Sequence, residues 1–128
     1  MKSINQYIQL DNSTITLAIK REDLLHPHIS GNKYRKLKYN LIQAKEENKD
    51  NILTFGGAFS NHIAALAYAG KLHNFKTIGV IRGDELESKI NENPTLKFAQ
   101  ECGMKFKFET REKYRFKDNL EYINNLHK

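Results

Sequence analysis

Short apolar runs alternate along this chain with longer segments of helical periodicity, and this alternation constrains the fold more than any other feature. Residues 16–20, 51–55 and 77–81 are short runs rich in apolar and β-branched residues. The second is followed by Gly56-Gly57 and the third by Arg82-Gly83, and such runs are typical of buried parallel strands. Residues 104–108 alternate apolar and charged side chains, which predicts a half-exposed strand near a sheet edge.

Helices are predicted between and after these runs, at 33–48, 60–73, 94–102 and 118–126. The third begins at Pro94, a favoured residue in a first helical turn, and stops before Gly103. Asp118 is expected to cap the last helix, with His127 and Lys128 at its end. Strands that alternate with helices predict an α/β fold, with an open, mostly parallel sheet of about four strands and flanking helices.

Composition excludes several classes of protein. Hydrophobic residues make up 39% of the 128 residues, enough for a core, which argues against wholesale disorder. The single cysteine, Cys102, excludes an internal disulfide and a zinc site built from cysteines. No stretch approaches the ~20 apolar residues of a membrane span, so a cytoplasmic location with no membrane partner is expected. The 21 Lys and Arg against 15 Asp and Glu give a net charge of +6, which favours anionic partners.

The first segment that carries chemistry is the basic start of the predicted helix 33–48. Lys33, Arg35 and Lys36 all lie in its first turn or so, where cations oppose the helix dipole. One interpretation is an anion bound nearby, since helix N-termini are natural phosphate sites. The other is a solvated basic turn paired with Glu22 and Asp23, because charge clusters usually face solvent.

The second segment joins the strand 51–55 to the helix that follows it. Gly56 and Gly57 allow a tight turn and close approach of a ligand to the backbone. Ser60 and Asn61 are natural helix caps and also offer a hydroxyl and an amide at the carboxyl end of a strand, where open α/β sheets bind ligands. An ordinary strand–turn–helix junction is the alternative.

Together these segments resemble a known family. Lys-Arg-Glu-Asp-Leu from residue 20, Ser-Gly-Asn-Lys-Tyr-Arg-Lys-Leu from residue 30 and Gly-Gly-Ala-Phe-Ser-Asn-His from residue 56 occur in the order typical of that family. Thr-Arg-Glu-Lys-Tyr-Arg from residue 110 also fits. The combination resembles the 1-aminocyclopropane-1-carboxylate deaminase / D-cysteine desulfhydrase family. Members of this family are pyridoxal-phosphate enzymes of fold type II, the tryptophan-synthase-β-like group.

The resemblance implies a role for each matching residue. Lys33 would be the catalytic lysine that binds pyridoxal 5'-phosphate covalently, and Lys36 would stand near the cofactor phosphate. Asn61 would hydrogen-bond the phenolic oxygen of the cofactor ring and contact the substrate. Ser60 would be catalytic, meeting the substrate carboxylate or acting as nucleophile or proton acceptor in the deaminase branch. His62 would add a substrate contact in the same loop.

The implied activity is that of a lyase or hydrolase acting on a small amino acid, of the 1-aminocyclopropane-1-carboxylate or D-cysteine type, with release of ammonia and a 2-oxo acid. Phe59 stands where many members carry glutamine, and residues 63–65 stand where many have an arginine-containing run, so the motif does not choose the substrate. The alternative is a catalytically silent N-terminal fragment, a non-enzymatic α/β domain with a basic anion-binding face.

Family members are considerably longer than this chain, so the resemblance implies the N-terminal part of a two-domain enzyme. Residues 1–48 would be a segment of the large cofactor domain that carries Lys33, and 49–128 the small α/β domain, with the remainder of the large domain absent. The full-length form would be a homodimer. This chain alone is expected to be inactive and prone to self-association through apolar residues at 52–53 and 78–81.

Three other features have simpler explanations. His26-Pro27-His28 lacks a third ligand in view and is expected to be a loop, so no metal is predicted. Cys102 is expected to be a small buried hydrophobe. The basic and aromatic run from 105 to 117 is compatible with single-stranded nucleic acid, but the alternation at 104–108 already predicts a strand, so no nucleic acid partner is expected.

Overall fold

The computed structural model describes residues 2–126. Its strands are β1 (Asn5–Gln9), β2 (Thr16–Lys20), β3 (Asn51–Gly57), β4 (Lys76–Arg82) and β5 (Lys105–Glu109). Its α-helices are α1 (Asn32–Glu46), α2 (Asn61–His73), α3 (Pro94–Glu101) and α4 (Leu120–Leu126). Short 3-10 helices lie at Glu22–Leu24, Asp84–Glu92 and Lys113–Phe116. The α/β fold predicted from the sequence is confirmed.

The main sheet has three parallel strands in the order β3-β4-β5. The central strand β4 is the most buried, and the side chains of Val80 and Ile81 have no exposed surface. The outer strand β5 alternates between exposed and partly buried residues, which confirms the predicted edge position. The expectation that residues 78–81 would be exposed is therefore wrong for Val80 and Ile81, because neighbouring elements cover the middle of the sheet.

The predicted sheet of about four strands is wrong in one respect. Thr16–Lys20 does form a strand, but it pairs antiparallel with β1 in a separate two-stranded sheet, with Ile8 opposite Leu17. All residues of both strands are exposed. The physical reason is local: the chain reverses between the strands at residues 11–14, with Asn12 at φ 57°, so β2 finds a partner after a short loop.

The predicted helix after β3 is confirmed, and it packs directly on the sheet. A Cβ added at Gly56 would lie 2.6 Å from Cγ1 of Ile63, so this glycine lets the strand and the helix approach closely. Leu37 and Leu41 of α1 belong to the same buried cluster as Ile63 and Leu66 of α2. The helix α1 thus joins the sheet through α2.

The last two α-helices are close to their predicted positions. Pro94 opens α3, and the side chain of Asn93 accepts a hydrogen bond from the backbone N–H of Leu96. The cap predicted at Asp118 is wrong: Asn119 Oδ1 accepts from the Tyr122 N–H at 3.1 Å, because α4 starts later than predicted. The predicted helix end at residues 127 and 128 lies outside the described residues.

The opposite face of the sheet is covered by the segment after β5. Phe55 of β3 contacts Tyr114 with ring centroids 6.0 Å apart and Tyr122 of α4 at 6.4 Å. Helices therefore flank the sheet on both sides. The helix α2 lies on one face, and the 3-10 helix Lys113–Phe116 and α4 lie on the other. Within residues 2–126, no helix is long and apolar enough to cross a membrane.

Candidate active site

The start of α1 is positioned by a glycine in a left-handed region. Gly31 precedes the helix with φ 63°, a conformation that side chains with a Cβ rarely adopt, and its N–H donates to the carbonyl of Glu22 at 2.9 Å. Lys33 follows in the first turn and is half-buried. Its Nζ donates to Oδ1 of Asn32 at 3.0 Å. The turn from Ser30 to Asn32 therefore fixes where the lysine emerges.

The positive charge of Arg35 is balanced by the carboxylate of Glu22. Its guanidinium binds Glu22 through two hydrogen bonds, Nε to Oε2 at 2.6 Å and Nη2 to Oε1 at 2.8 Å. The hydroxyl of Ser3 donates to the same carboxylate at 2.7 Å. These bonds, that of Arg35 first, lower the pKa of Glu22 to about 2. The solvated-pair interpretation is thus correct for Arg35, while Lys33 and Lys36 form no ion pair within residues 2–126.

The junction between β3 and α2 combines a cap with an open backbone. Ser60 is the N-cap of α2, and its Oγ accepts from the His62 N–H at 3.3 Å. A Cβ added at Gly57 would meet nothing within 4 Å. Of the two glycines, Gly56 is explained by helix packing, and Gly57 leaves open space beside the backbone.

The side chain of His62 is hydrogen-bonded to the sheet and does not project from the loop. Its Nε2 lies 2.8 Å from Oγ1 of Thr54 on β3. Burial, followed by the charges of Lys33 and Lys36, lowers the pKa of His62 below its usual value. The two lysines are therefore close enough to act on this imidazole, and the neutral ring is favoured.

One cleft of about 530 Å³ brings the two predicted segments together. Lys33 at the start of α1 and Asn61 at the start of α2 both line it, as do Pro94 and Thr95 at the start of α3. Three helices therefore begin at this cleft, and helix N-termini favour negative charge. The remaining lining residues are Pro27, His28, Ser30, Gly31, Asn32, Ala64, Ala65 and Phe98.

The aromatic side chains of His28 and Phe98 line the cleft, and of these two the sequence had singled out only His28, as part of a possible metal site. His28 stacks on Phe98 with centroids 5.0 Å apart and planes at 26°, and its centroid lies 4.5 Å from that of Tyr68. His26 Nδ1 accepts the backbone N–H groups of His28 and Ile29, each at 3.1 Å. The His-Pro-His segment is thus a loop built from hydrogen bonds and stacking. The helical periodicity of α3 was the sequence signal that could have found Phe98.

The remaining candidate residues lie around the cleft without lining it. Ser60 precedes Asn61 as the helix cap, and His62 lines a separate cavity with Thr54 and Leu37. Lys36 is exposed on α1 and acts on His62 through its charge. Cys102 lies away from this site at the end of α3, and burial raises the pKa of its thiol. In the part of the chain that the structure describes, no cluster of three His, Cys, Asp or Glu is suited to a metal ion.

No protein-family model matches the chain. It is 37% identical over 87 residues to the bifunctional D-cysteine desulfhydrase/1-aminocyclopropane-1-carboxylate deaminase, mitochondrial, of Arabidopsis thaliana, a match that covers 68% of this chain and 21% of that protein. The chain is 32% identical over 113 residues to a putative 1-aminocyclopropane-1-carboxylate deaminase of Pyrococcus horikoshii, covering 75% of this chain and 35% of that protein. It is 42% identical over 67 residues to a protein of the same name from Pyrococcus furiosus, covering 52% of this chain and 20% of that protein.

The resemblance to the 1-aminocyclopropane-1-carboxylate deaminase / D-cysteine desulfhydrase family is confirmed. These matches span between 20% and 35% of the relatives' own length. The relatives are named as deaminases or as a deaminase and desulfhydrase, so an enzymatic role rests on family resemblance.

Proposed function

We propose that this chain is the N-terminal part of a pyridoxal-phosphate-dependent enzyme of fold type II that removes ammonia from a small amino acid and leaves a 2-oxo acid. The observation that carries the proposal is the shared cleft. Lys33 and Asn61, 28 positions apart in the sequence, line the same space of about 530 Å³. The names of the relatives point to 1-aminocyclopropane-1-carboxylate or D-cysteine as the substrate class.

The donors around the cleft fit the chemistry of pyridoxal phosphate. The Lys33 amine suits its aldehyde, the Asn61 amide suits its ring oxygen, and the starts of three helices suit an anionic group. The aromatic side chains of His28 and Phe98, which line the cleft, suit a molecule with an aromatic ring. When bound, the cofactor supplies an electron sink for the carbon next to the substrate amine.

Each residue of the chain has a defined task in this proposal. Lys33 holds the cofactor through its side-chain nitrogen, and Lys36 adds positive charge for its phosphate. Asn61 orients the ring by a hydrogen bond. Because Ser60 Oγ already accepts the His62 N–H, its own hydroxyl hydrogen is left to donate to a substrate carboxylate. His62 supports this loop through its contact with Thr54.

The division of the chain is part of the same proposal. Residues 1–48 would belong to the large domain and 49–128 to the small one, and the full-length enzyme would be a homodimer. The sharing of a buried cluster by α1 and α2 supports a close approach of the two parts around Lys33. A nucleic acid or membrane partner is not part of this proposal.

The lysine assignment is tested by trapping. The chain is incubated with pyridoxal phosphate and reduced with borohydride, and the labelled peptide is mapped by mass spectrometry. We expect the label on Lys33 and a visible absorbance band that Lys33→Ala abolishes. Lys38→Ala, on the same helix and outside the cleft, is the matched control and should keep both signals. Label on Lys36 or elsewhere, with Lys33 unmodified, would refute the assignment.

The rival is a silent domain with a basic anion-binding face. This rival is favoured because the chain spans only a small part of the relatives' length and because the cleft is open to solvent. The same experiment separates the two, because a silent domain would give no preferential label on Lys33 at any cofactor concentration.

A further inference from the structure

A second cationic site lies on the face of the main sheet that is opposite to α2. Four basic residues and one tyrosine line a cavity of about 360 Å³: Arg82, Arg111, Tyr114, Arg115 and Lys117. Arg82 is the last residue of β4, and the other four follow β5. The cavity is therefore built from two segments that the parallel pairing of β4 and β5 brings side by side.

The segment that supplies most of the lining has a defined conformation. The N–H of Tyr114 donates to the Thr110 carbonyl at 3.0 Å, and the Lys113 N–H donates to the Thr110 hydroxyl at 3.2 Å. The ring of Tyr114 packs edge-on against Phe55 of β3, with centroids 6.0 Å apart. The turn is thus held by its own hydrogen bonds and by a contact with the sheet.

Positive charge at this cavity exceeds negative charge. Arg111 pairs with Glu85 at 2.8 Å and Lys117 with Asp118 at 3.7 Å. Arg82 and Arg115 form no ion pair within the described residues.

Neither Glu109 nor the ring of Tyr114, the two other groups near Arg82, removes this excess of positive charge. Glu109, its strand partner on β5, pairs instead with Lys107 at 3.9 Å. The guanidinium of Arg82 lies over the ring of Tyr114, with 5.9 Å from Cζ to the ring centroid. Two guanidinium groups are therefore left to meet an external anion.

The position of the cavity also favours a ligand. Arg82 ends β4 and Arg111 follows the end of β5, so the cavity lies at the carboxyl ends of parallel strands, where open α/β sheets bind small molecules. Guanidinium groups offer paired N–H donors that match phosphate oxygens, and Tyr114, which also lines the cavity, carries a hydroxyl that can donate.

We propose that Arg82, Arg115 and Tyr114 form a binding site for the phosphoryl group of a small molecule. This site is distinct from the proposed cofactor cleft and does not rest on it. A single-stranded nucleic acid is the competing source of phosphate, since Lys105 and Lys107 lie on the neighbouring strand β5. Those two residues do not line the cavity, so the geometry favours a compact anion.

Binding of inorganic pyrophosphate to the chain tests the proposal, measured by calorimetry at constant ionic strength so that general screening is equal throughout. We expect saturable binding that Arg82→Gln and Arg115→Gln each weaken at least ~10-fold, the scale of a lost charge-assisted hydrogen bond. Lys97→Gln, with the same charge change at an exposed position on α3, should leave the affinity unchanged.

Three outcomes would overturn the site. One is no saturable binding of pyrophosphate. Another is equal weakening by Lys97→Gln, which would show a general effect of net charge. The third is much tighter binding of a short single-stranded oligonucleotide that depends on Lys105 and Lys107, which would assign this face to nucleic acid. Thermal unfolding of each variant checks that these exposed substitutions leave the fold intact.

Discussion

His62 is held between the sheet and the basic start of α1. Its Nε2 contacts the Thr54 hydroxyl, and the charges of Lys33 and Lys36 reach it from the neighbouring helix. A positive imidazole at this position would have to lose water and face two cations. The same residues that form the candidate cofactor site therefore also make the charge on His62 unfavourable.

This arrangement predicts a pH dependence of stability. Burial, followed by Lys33 and Lys36, lowers the pKa of His62 from its ordinary 6.5, so the unfolded chain binds the proton more tightly than the folded one. The stability that neutral His62 contributes is fully present above about pH 6.5. It is lost as the pH falls through the lower pKa of His62 in the folded chain.

Urea unfolding of wild type and His62→Gln at pH 7.5 and pH 5.5 measures this contribution. We expect wild type to lose more stability than His62→Gln over that interval. His73→Gln, which changes an exposed histidine on the same helix, should lose as much as wild type. An equal loss in all three proteins would contradict the prediction.

The contact between β3 and α2 is the element-scale feature on which the site depends, because Thr54, Ser60 and Asn61 all lie at this contact. Gly56 allows it: an added Cβ would meet Ile63 side-chain atoms at 2.6 and 2.8 Å. Gly57 is adjacent in sequence, yet a Cβ there would meet no atom within 4 Å. The two glycines thus form a matched pair of positions within one strand.

Gly56→Ala should destabilise the fold by about 1–3 kcal/mol, the usual cost of overpacking a well-packed contact. Gly57→Ala should change the free energy of unfolding by less than about 1 kcal/mol, because the added methyl group finds open space. Chemical denaturation measures both values. Equal destabilisation by the two substitutions would mean that backbone conformation, and not the Ile63 contact, sets the requirement at Gly56.

At the scale of the whole molecule, the β1–β2 hairpin and its flanking residues carry half of the exposed large apolar side chains of residues 2–126, and no strand of the main sheet carries one. Ile8 and Leu17 lie opposite each other, and Ile19 lies two residues along on the same face. Their exposed fractions are 36%, 43% and 42%. Ile4 and Ile15 are more exposed still, at 61% and 58%. Contiguous exposed apolar surface of this kind favours association.

We therefore predict that the chain self-associates at high concentration through the hairpin. Replacing Leu17 and Ile19 by threonine keeps β-propensity and removes apolar area, so it should shift the protein towards the monomer. Leu72→Thr, at an exposed leucine of α2, is the control and should leave association unchanged. Sedimentation velocity measures the distribution. A wild-type monomer at all concentrations would contradict the prediction, as would equal dissociation by the control.

The periodicity of the sequence was sufficient to predict β3, α2, β4, α3 and the edge strand β5, because each is specified by local propensity and by glycine or proline at its ends. The family resemblance, and not periodicity, predicted that Lys33 and Asn61 serve one site; both residues line one cleft, and their shared role stays a prediction. The hairpin was missed because the alternation of residues 5–9 is weak, and a strand's partner is not encoded within the strand itself.

What only the tertiary structure decided is which side chains meet. The pairing of Arg35 with Glu22, the tether of His62 to Thr54 and the stacking of His28 on Phe98 each join residues from different elements. Such contacts depend on how the elements pack, which no local window of sequence contains. The sequence by itself determined the elements of the main sheet and the motif residues. Packing determined that three helices begin at one cleft, and pairing with β1 across a short loop placed β2 outside the main sheet.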